Sequence, residues 1–285
     1  MLRLDLVHPV ISGNKIFKLR YFLEEALATG PRKIVTFGGA YSNHLAATAY
    51  ACRQLQLSCV GFVRGERPAT LSPTLQSCLD EGMQLEFTDR QVYRQLAGGK
   101  HPRVLAEQFG PHILVPEGGC SPMGMAGAAT IWKLIGPDAY SHICCAIGTA
   151  TTFAGLVGSS PGATIVGIPV LKGMKDIPRR LAALGVTANT PHALVDGYHF
   201  GGYAKKDAIL LEFMNGFYDR HGIPLDFVYT GKMMFGVLDL VRKDYFPRGA
   251  RVCCIHSGGL QGNCSLAPGE LRFPGSAGGL AATPS

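Results

Sequence analysis

The sequence predicts an α/β protein built on two open, twisted, mostly parallel sheets with flanking helices. Three observations carry this. Short apolar β-type runs alternate with stretches of helical periodicity along most of the chain, the pattern of parallel strands joined by crossover helices. Glycine is 37 of 285 residues, nearly twice the usual share of about 7 %, and much of it follows apolar runs, where a strand turns into a helix. The strand-to-glycine transitions fall in two separate blocks, one around residues 30–125 and one after it.

The elements follow in order. A helix starts near Asn14, after a turn at Gly13. Lys33–Phe37 reads as a strand and Asn43–Leu55 as an alanine-rich helix. Cys59–Val63, Gln84–Thr88 and His112–Val115 read as strands, and a helix spans about Gly124–Leu134. His142–Ile147 is a strand, Thr152–Val157 a helix and Thr164–Ile168 a strand. Lys206–His221 places Ile209, Leu210, Phe213 and Phe217 at helical spacing. Met233–Val241 is a further helix and Arg251–Ile255 the last strand. From Pro268 onward Gly, Pro, Ala and Ser dominate, which predicts a poorly ordered tail. No repeat of fixed period occurs. In a protein of two open sheets, a ligand belongs in the cleft at the C-terminal ends of the strands.

Composition excludes several classes. Apolar residues make up 47 % and charged residues 16 %, so a disordered chain is excluded. The net charge of +7 is spread out, and its densest runs, Lys172–Lys175, Arg179-Arg180 and Lys205-Lys206, are not interleaved with aromatics. Solvated faces are the expectation there, not a nucleic-acid surface. Nine cysteines without a C-x-x-C predict reduced thiols and a cytoplasmic protein. The first residues have no apolar signal region and no run reaches eighteen apolar residues, so no membrane contact is expected. The histidines include no H-E-x-x-H, so no metal site is expected.

Five segments could carry chemistry. In Ser12-Gly13-Asn14-Lys15-Ile16-Phe17-Lys18, Lys15 and Lys18 share a helix face at the positive end of the dipole. Both effects lower the Lys15 ammonium, as a Schiff-base lysine requires, although an exposed basic first turn has the same spacing. In Gly38-Gly39-Ala40-Tyr41-Ser42-Asn43-His44, Ser42 and Asn43 open a helix whose N–H groups could face an anion, or are ordinary caps. Gly148-Thr149-Ala150-Thr151-Thr152 sets small and hydroxylated residues between a strand and a helix, as a phosphate cradle does. It is neither a P-loop nor a G-x-G-x-x-G. The others are Tyr229-Thr230-Gly231-Lys232 and His256-Ser257-Gly258-Gly259. Ser257 sits in no hydrolase elbow, and His256 is expected in the core or a turn.

Taken together and in this order, these segments resemble the D-cysteine desulfhydrase and 1-aminocyclopropane-1-carboxylate (ACC) deaminase family, from about Arg3 to Asn263. The resemblance implies pyridoxal 5'-phosphate and the fold of the tryptophan synthase β subunit, fold type II. It implies a larger cofactor-binding domain from residues 1–29 and 126–267, a smaller α/β domain from 30–125, a flexible tail from 268–285, and a homodimer. By position, Lys15 would bind the cofactor covalently and move the Cα proton, with Lys18 its cationic neighbour. Asn43 would bond the cofactor's phenolic oxygen, and Gly148, Thr149, Ala150, Thr151 and Thr152 its phosphate. Thr230 would face the pyridine nitrogen. Ser42, Asn43 and His44 would hold the substrate carboxylate, with Ser42 assisting proton movement. Tyr229, a further catalytic residue, would line the substrate side together with Ser257.

Within the resemblance, ACC deaminases have Glu where this chain has Thr230 and Leu where it has Ser257. Hydroxyls at both positions favour β-elimination from D-cysteine or a related D-amino acid, giving pyruvate, ammonia and sulfide. An ACC deaminase releasing 2-oxobutanoate and ammonia is the alternative, and a non-catalytic small-molecule-binding protein on the same fold a second one. The chain departs from the family at Phe17, often polar in members, and at Ala150, usually glycine. An opening segment of the fold is expected to be absent, and the tail after Asn263 is unlike the family.

Overall fold

A computed structural model describes residues 1–30, 32–100, 102–136, 139–186 and 190–274. The elements run β1 (Leu2–Arg3), α1 (Lys15–Ala28), β2 (Lys33–Gly38), α2 (Asn43–Gln54), β3 (Ser58–Arg64), α3 (Pro73–Asp80), β4 (Gln84–Thr88), α4 (Arg90–Ala97), α5 (Pro102–Phe109) and β5 (Ile113–Val115). They continue with α6 (Pro122–Ala129), α7 (Trp132–Ile135), β6 (His142–Ile147), α8 (Thr151–Gly158), β7 (Thr164–Pro169), α9 (Ile177–Ala183), β8 (His192–Leu194), α10 (Ala208–His221), α11 (Thr230–Arg242) and β9 (Val252–His256).

Two sheets result, with strand orders β4-β3-β2-β5 and β1-β9-β6-β7-β8. Every strand pair in them is parallel. The central strands explain why. Ile34 to Gly38 and Ile143 to Cys145 are buried residue after residue, without the alternation of a half-exposed strand. Such continuous runs are stable only with helices on both faces.

In each order the chain reverses direction once. β2, β3 and β4 step one way and β5 returns to the other side of β2; β6, β7 and β8 step one way and β9 returns to the other side of β6. These reversals open crevices at the C-terminal ends of β2, β6 and β9. Gly38–His44, Gly148–Thr152 and His256–Gly259 occupy those ends.

β1 and Leu4 belong with the five-stranded sheet. By contrast α1 buries Leu19, Phe22 and Ala26 in the same core as Ile34, Leu45 and Val115 of the four-stranded sheet. The helix expected at 124–134 divides into α6 and α7, where the Thr130 hydroxyl bonds back to the Gly127 carbonyl at 2.7 Å. The first residues of the expected tail, 268–274, pack on the fold. Phe273 is buried against Tyr218, and Glu270 and Arg272 pair with Lys206, Glu212 and Asp219. Residues 275–285 of that tail lie outside the described residues.

Ala150, where the resemblance expects glycine, has φ +70°. A left-handed conformation costs a β-carbon residue roughly 1–2 kcal/mol. Against this, the buried methyl contributes about 0.8 kcal/mol and alanine saves about 0.5–1 kcal/mol of unfolded-state entropy. The terms nearly cancel. Ala150→Gly is therefore expected to change the unfolding free energy by less than about 1 kcal/mol, and a larger change in a denaturant titration would show that the loop is strained elsewhere.

Candidate active site

The ends of both sheets frame a cavity of about 510 Å³. Its floor is the start of α1. Gly13 has φ +80°, and its backbone lies against β9: an added β-carbon would sit 1.9 Å from the Ser257 carbonyl oxygen. The Asn14 amide donates to that oxygen at 3.0 Å. Lys15, the first residue of α1, is thereby fixed beside the end of β9.

Asn14 does not cap α1, although it stands at the cap position. Its side chain works in the site instead, donating to Thr152 Oγ1 at 2.8 Å and accepting from Lys15 Nζ at 2.8 Å. Burial lowers Lys15 to about 8, against the raising effect of Asp226. Burial, not the neighbouring cation, is therefore what lowers it, and the charge effect runs from Lys15 onto Lys18. Lys18 is held well below the ordinary lysine value, first by burial and then by the Lys15 charge. The buried Lys18 amine donates to the Gly118 carbonyl at 2.7 Å, which ties α1 to the loop after β5, and the residue also lines the cavity. A lysine that reacts as the neutral amine should capture an aldehyde about tenfold faster per pH unit up to about pH 8, then level off. Absorbance changes on adding pyridoxal phosphate to cofactor-free protein measure this; a rate independent of pH from 6.5 to 9 would exclude Lys15 as the reacting group.

One wall is the N-terminus of α2. Ser42 Oγ accepts from the Leu45 amide at 3.2 Å, an ordinary cap. The cap uses a lone pair and leaves the hydroxyl hydrogen for an anion in the cavity. The first N–H groups of the helix, at Asn43 and His44, have no intrahelical acceptor. Asn43 Nδ2 donates to the Gly259 carbonyl at 2.9 Å, and its Oδ1 is buried without a partner. His44 is buried, with Nε2 2.8 Å from Thr36 Oγ1. Thr36 gives its one hydrogen to the Val115 carbonyl at 2.9 Å, so His44 Nε2 carries the proton of that bond. Burial, then Lys15 and Lys18, keeps the ring neutral.

Opposite lies the loop from Gly148 to Thr152, opening α8. Thr149 and Thr151 hydroxyls bond at 3.0 Å, and Thr152 receives Asn14. Gly148 is required because a β-carbon would meet the Tyr229 ring at 2.9 Å. Tyr229 and Tyr203 meet edge to face, centroids 6.4 Å apart. Burial, then Tyr203 and Asp226, raises Tyr229 well above its usual value, so it stays a phenol.

Ser257 lines the cavity but Thr230 does not. Thr230 is fully buried, and its hydroxyl donates to Asp226 Oδ2 at 2.7 Å while accepting from the Asp226 amide at 2.8 Å. It therefore does not face the cavity as expected. Asp226 also accepts from the Val228, Tyr229 and Thr230 amides and caps α11. Sequence reasoning missed Asp226, Asn14, Tyr203, Glu117 and Arg64. Asp226 carries a readable signal, an Asp four residues before Thr230 at a helix start; Tyr203 carries none.

The site fits pyridoxal phosphate on its own features. A low-pKa amine stands at the floor, α8 presents N–H groups and three threonine hydroxyls to an anion, and Gly148 and Gly259 give close-packed walls. Two parallel sheets around this donor set define an enzyme of the pyridoxal-phosphate type II fold. The chain belongs to the pyridoxal-phosphate dependent enzyme family, whose model matches residues 1–258. A candidate ACC deaminase of Pyrococcus horikoshii is 31 % identical, covering 90 % of this chain and 83 % of its own. The D-cysteine desulfhydrase of Salmonella newport is 28 % identical over 90 % and 85 %. A solved ACC deaminase homologue superposes with TM-score 0.79 at 29 % identity, covering 92 % of this chain and 84 % of that one. No helix among the described residues is long and apolar enough to cross a membrane, and among them no cluster suits a metal ion.

Proposed function

We propose that the chain is a lyase of the D-cysteine desulfhydrase and ACC deaminase type that eliminates sulfide from D-cysteine or a related D-amino acid. One observation carries the choice of substrate. Ser257, a hydroxyl residue, lines the cavity, and the Asp226 carboxylate behind Thr230 is spent on four hydrogen bonds. Among the described residues Glu117 is the one carboxylate lining the cavity. A site without a dedicated carboxylate at the ring nitrogen suits loss of an acidic α-proton and a thiolate better than opening of a cyclopropane ring.

The residues divide the work as follows. Bound pyridoxal phosphate supplies the electron sink that acidifies the substrate's Cα–H. The Gly148–Thr152 loop would hold the phosphate, and Asn43, with a second amide hydrogen to give, would bond the phenolic oxygen. Ser42 and the first N–H groups of α2 hold the substrate carboxylate, with His44 fixing the start of that helix through Thr36. Lys15 takes the Cα proton, which its depressed pKa allows near neutral pH. Tyr229, kept protonated, donates to the departing thiolate. The balance is D-cysteine plus water to pyruvate, ammonia and hydrogen sulfide.

ACC deamination is the second reading, favoured by the name of the 31 %-identical relative. A product screen separates them. D-cysteine should yield pyruvate and sulfide, as should β-chloro-D-alanine yield pyruvate, while L-cysteine and D-serine test stereochemistry and leaving group. Release of 2-oxobutanoate from ACC without sulfide from D-cysteine would overturn the proposal. We further propose two domains, one on each sheet, with 126–267 and the β1 segment in the larger, 30–125 in the smaller, and α1 placed with the smaller by its packing. The cytoplasm belongs to the same proposal, supported by cysteines that are all unpaired, and so does the homodimer, which rests on the family resemblance. Sedimentation tests the dimer.

A further inference from the structure

Lys232 is fully buried and takes no part in the chemistry above. Its Nζ donates to the carbonyls of His199 at 2.8 Å and Gly202 at 2.6 Å. Burial lowers this ammonium to about 8, with Asp226 and Asp207 opposing. The two carbonyls belong to the connection between β8 and α10. That connection is held in an unusual shape: Phe200, Gly201, Gly202 and Ala204 all have positive φ, at 50°, 89°, 124° and 51°. Two of them carry a β-carbon, so the shape is costly and needs outside support.

The support comes from one face of α11. Lys232 binds the His199 and Gly202 carbonyls. Phe235 packs edge to face on Phe200 at 5.0 Å. Gly236 lets Tyr198 approach until an added β-carbon would be 2.9 Å from its ring. Asp239 accepts from the Tyr198 hydroxyl at 2.6 Å. Positions 232, 235, 236 and 239 share a face at helical spacing. The segment so fastened delivers Tyr203 and Ala204 to the cavity. Tyr203 is 49 % exposed and meets Tyr229 at the mouth. Three of the four fastenings hold Tyr198 and Phe200. Of the α11 residues Lys232 alone reaches Gly202, next to Tyr203, and the other bonds of Gly202, to Lys205 and His199, lie within the bend itself.

We propose that Lys232 is a positioning residue, its ammonium clamping the His199–Gly202 bend so that Tyr203 is set against Tyr229 over the bound substrate. The proposal rests on the lyase reading for its kinetic consequence, though not for its structural one.

Two readouts test it on the cofactor-loaded protein. The first needs no substrate. In Lys232→Met, hydrogen exchange at residues 199–204 should quicken at least about tenfold while that of β6 and β9 stays as in the parent. The second is a double-mutant cycle in kcat/KM for D-cysteine. Lys232→Met and Tyr203→Ala should each lower it about tenfold or more, and the double variant should be no worse than the weaker single one by more than about twofold. Lys232→Arg, which keeps donors and charge, should restore part of both readouts. Multiplied losses in the cycle, or unchanged exchange at 199–204, would overturn the proposal. So would failure of both the Met and Arg variants to fold, since that assigns Lys232 to the core. A parent enzyme without activity on D-cysteine would sink the substrate reading and leave the exchange result to decide the clamp.

Discussion

Lys15→Ala is expected to abolish turnover and covalent cofactor retention together. The activity lost should be at least about 10³-fold, since proton transfer by a positioned group is worth about 10²–10⁴-fold and the covalent link goes with it. The structure leaves no substitute. Lys18 is the nearest other amine by sequence, but it is buried and bound to the Gly118 carbonyl at 2.7 Å. Borohydride reduction followed by peptide mass analysis should place the cofactor on Lys15 in the parent and on no lysine in the variant. An adduct at Lys18, or D-cysteine turnover within tenfold of the parent, would refute the assignment of Lys15.

Gly13→Ala should be the most damaging small substitution near the site. The residue has φ +80°, which costs a β-carbon roughly 1–2 kcal/mol. The methyl would also be 1.9 Å from the Ser257 oxygen and within 2.6 Å of Gly258 Cα, so two backbones must separate. Overpacking of this kind costs about 1–3 kcal/mol. Together the loss is about 2–5 kcal/mol, or roughly 5–15 °C in Tm for a chain of this size. Because the Asn14 amide bonds the same Ser257 oxygen, cofactor capture at Lys15 should slow as well. A Tm within about 2 °C of the parent would show that this contact is looser than drawn.

The inner strands are the legible part of the fold, while the short edge strands β1 and β8, two and three residues long, carry no pattern to read. β6 has the boundaries that its apolar run gives, because a largely buried strand writes its length in apolar residues, whereas β4, an edge strand with only Leu85 buried, shows in the alternation of Leu85 and Phe87 with polar neighbours. α3, α4, α5 and α9 leave no clear period in the sequence. They are seven or eight residues each, too short for a strong period, although Pro73 and Pro102 stand at helix starts. In the site, the residues legible by type are those at helix starts and the loops before them, where Lys15, Ser42, Asn43 and Gly148–Thr152 converge on one cavity. Thr230 shows the limit. A hydroxyl in a motif looks available, yet whether its hydrogen is already given away depends on Asp226, which only the fold brings beneath it. The Lys15 environment shows the same thing. Adjacency in sequence pointed to Lys18 as the perturbing charge, whereas burial decides.

The parallel pairing of β1 with β9, Leu2 beside Ile255, joins segments about 250 residues apart. Ser257, Gly258 and Gly259 then close against Gly13, Asn14 and Asn43. On the ribosome Lys15 is therefore made about 240 residues before Ser257–Gly259, the last wall of its pocket. At about 5–20 residues per second the lysine waits some tens of seconds for its wall. Through that interval its amine is solvated, fully protonated at cellular pH and a poor nucleophile. The reactive amine comes into being only with the finished fold, which protects a growing chain from stray aldehydes.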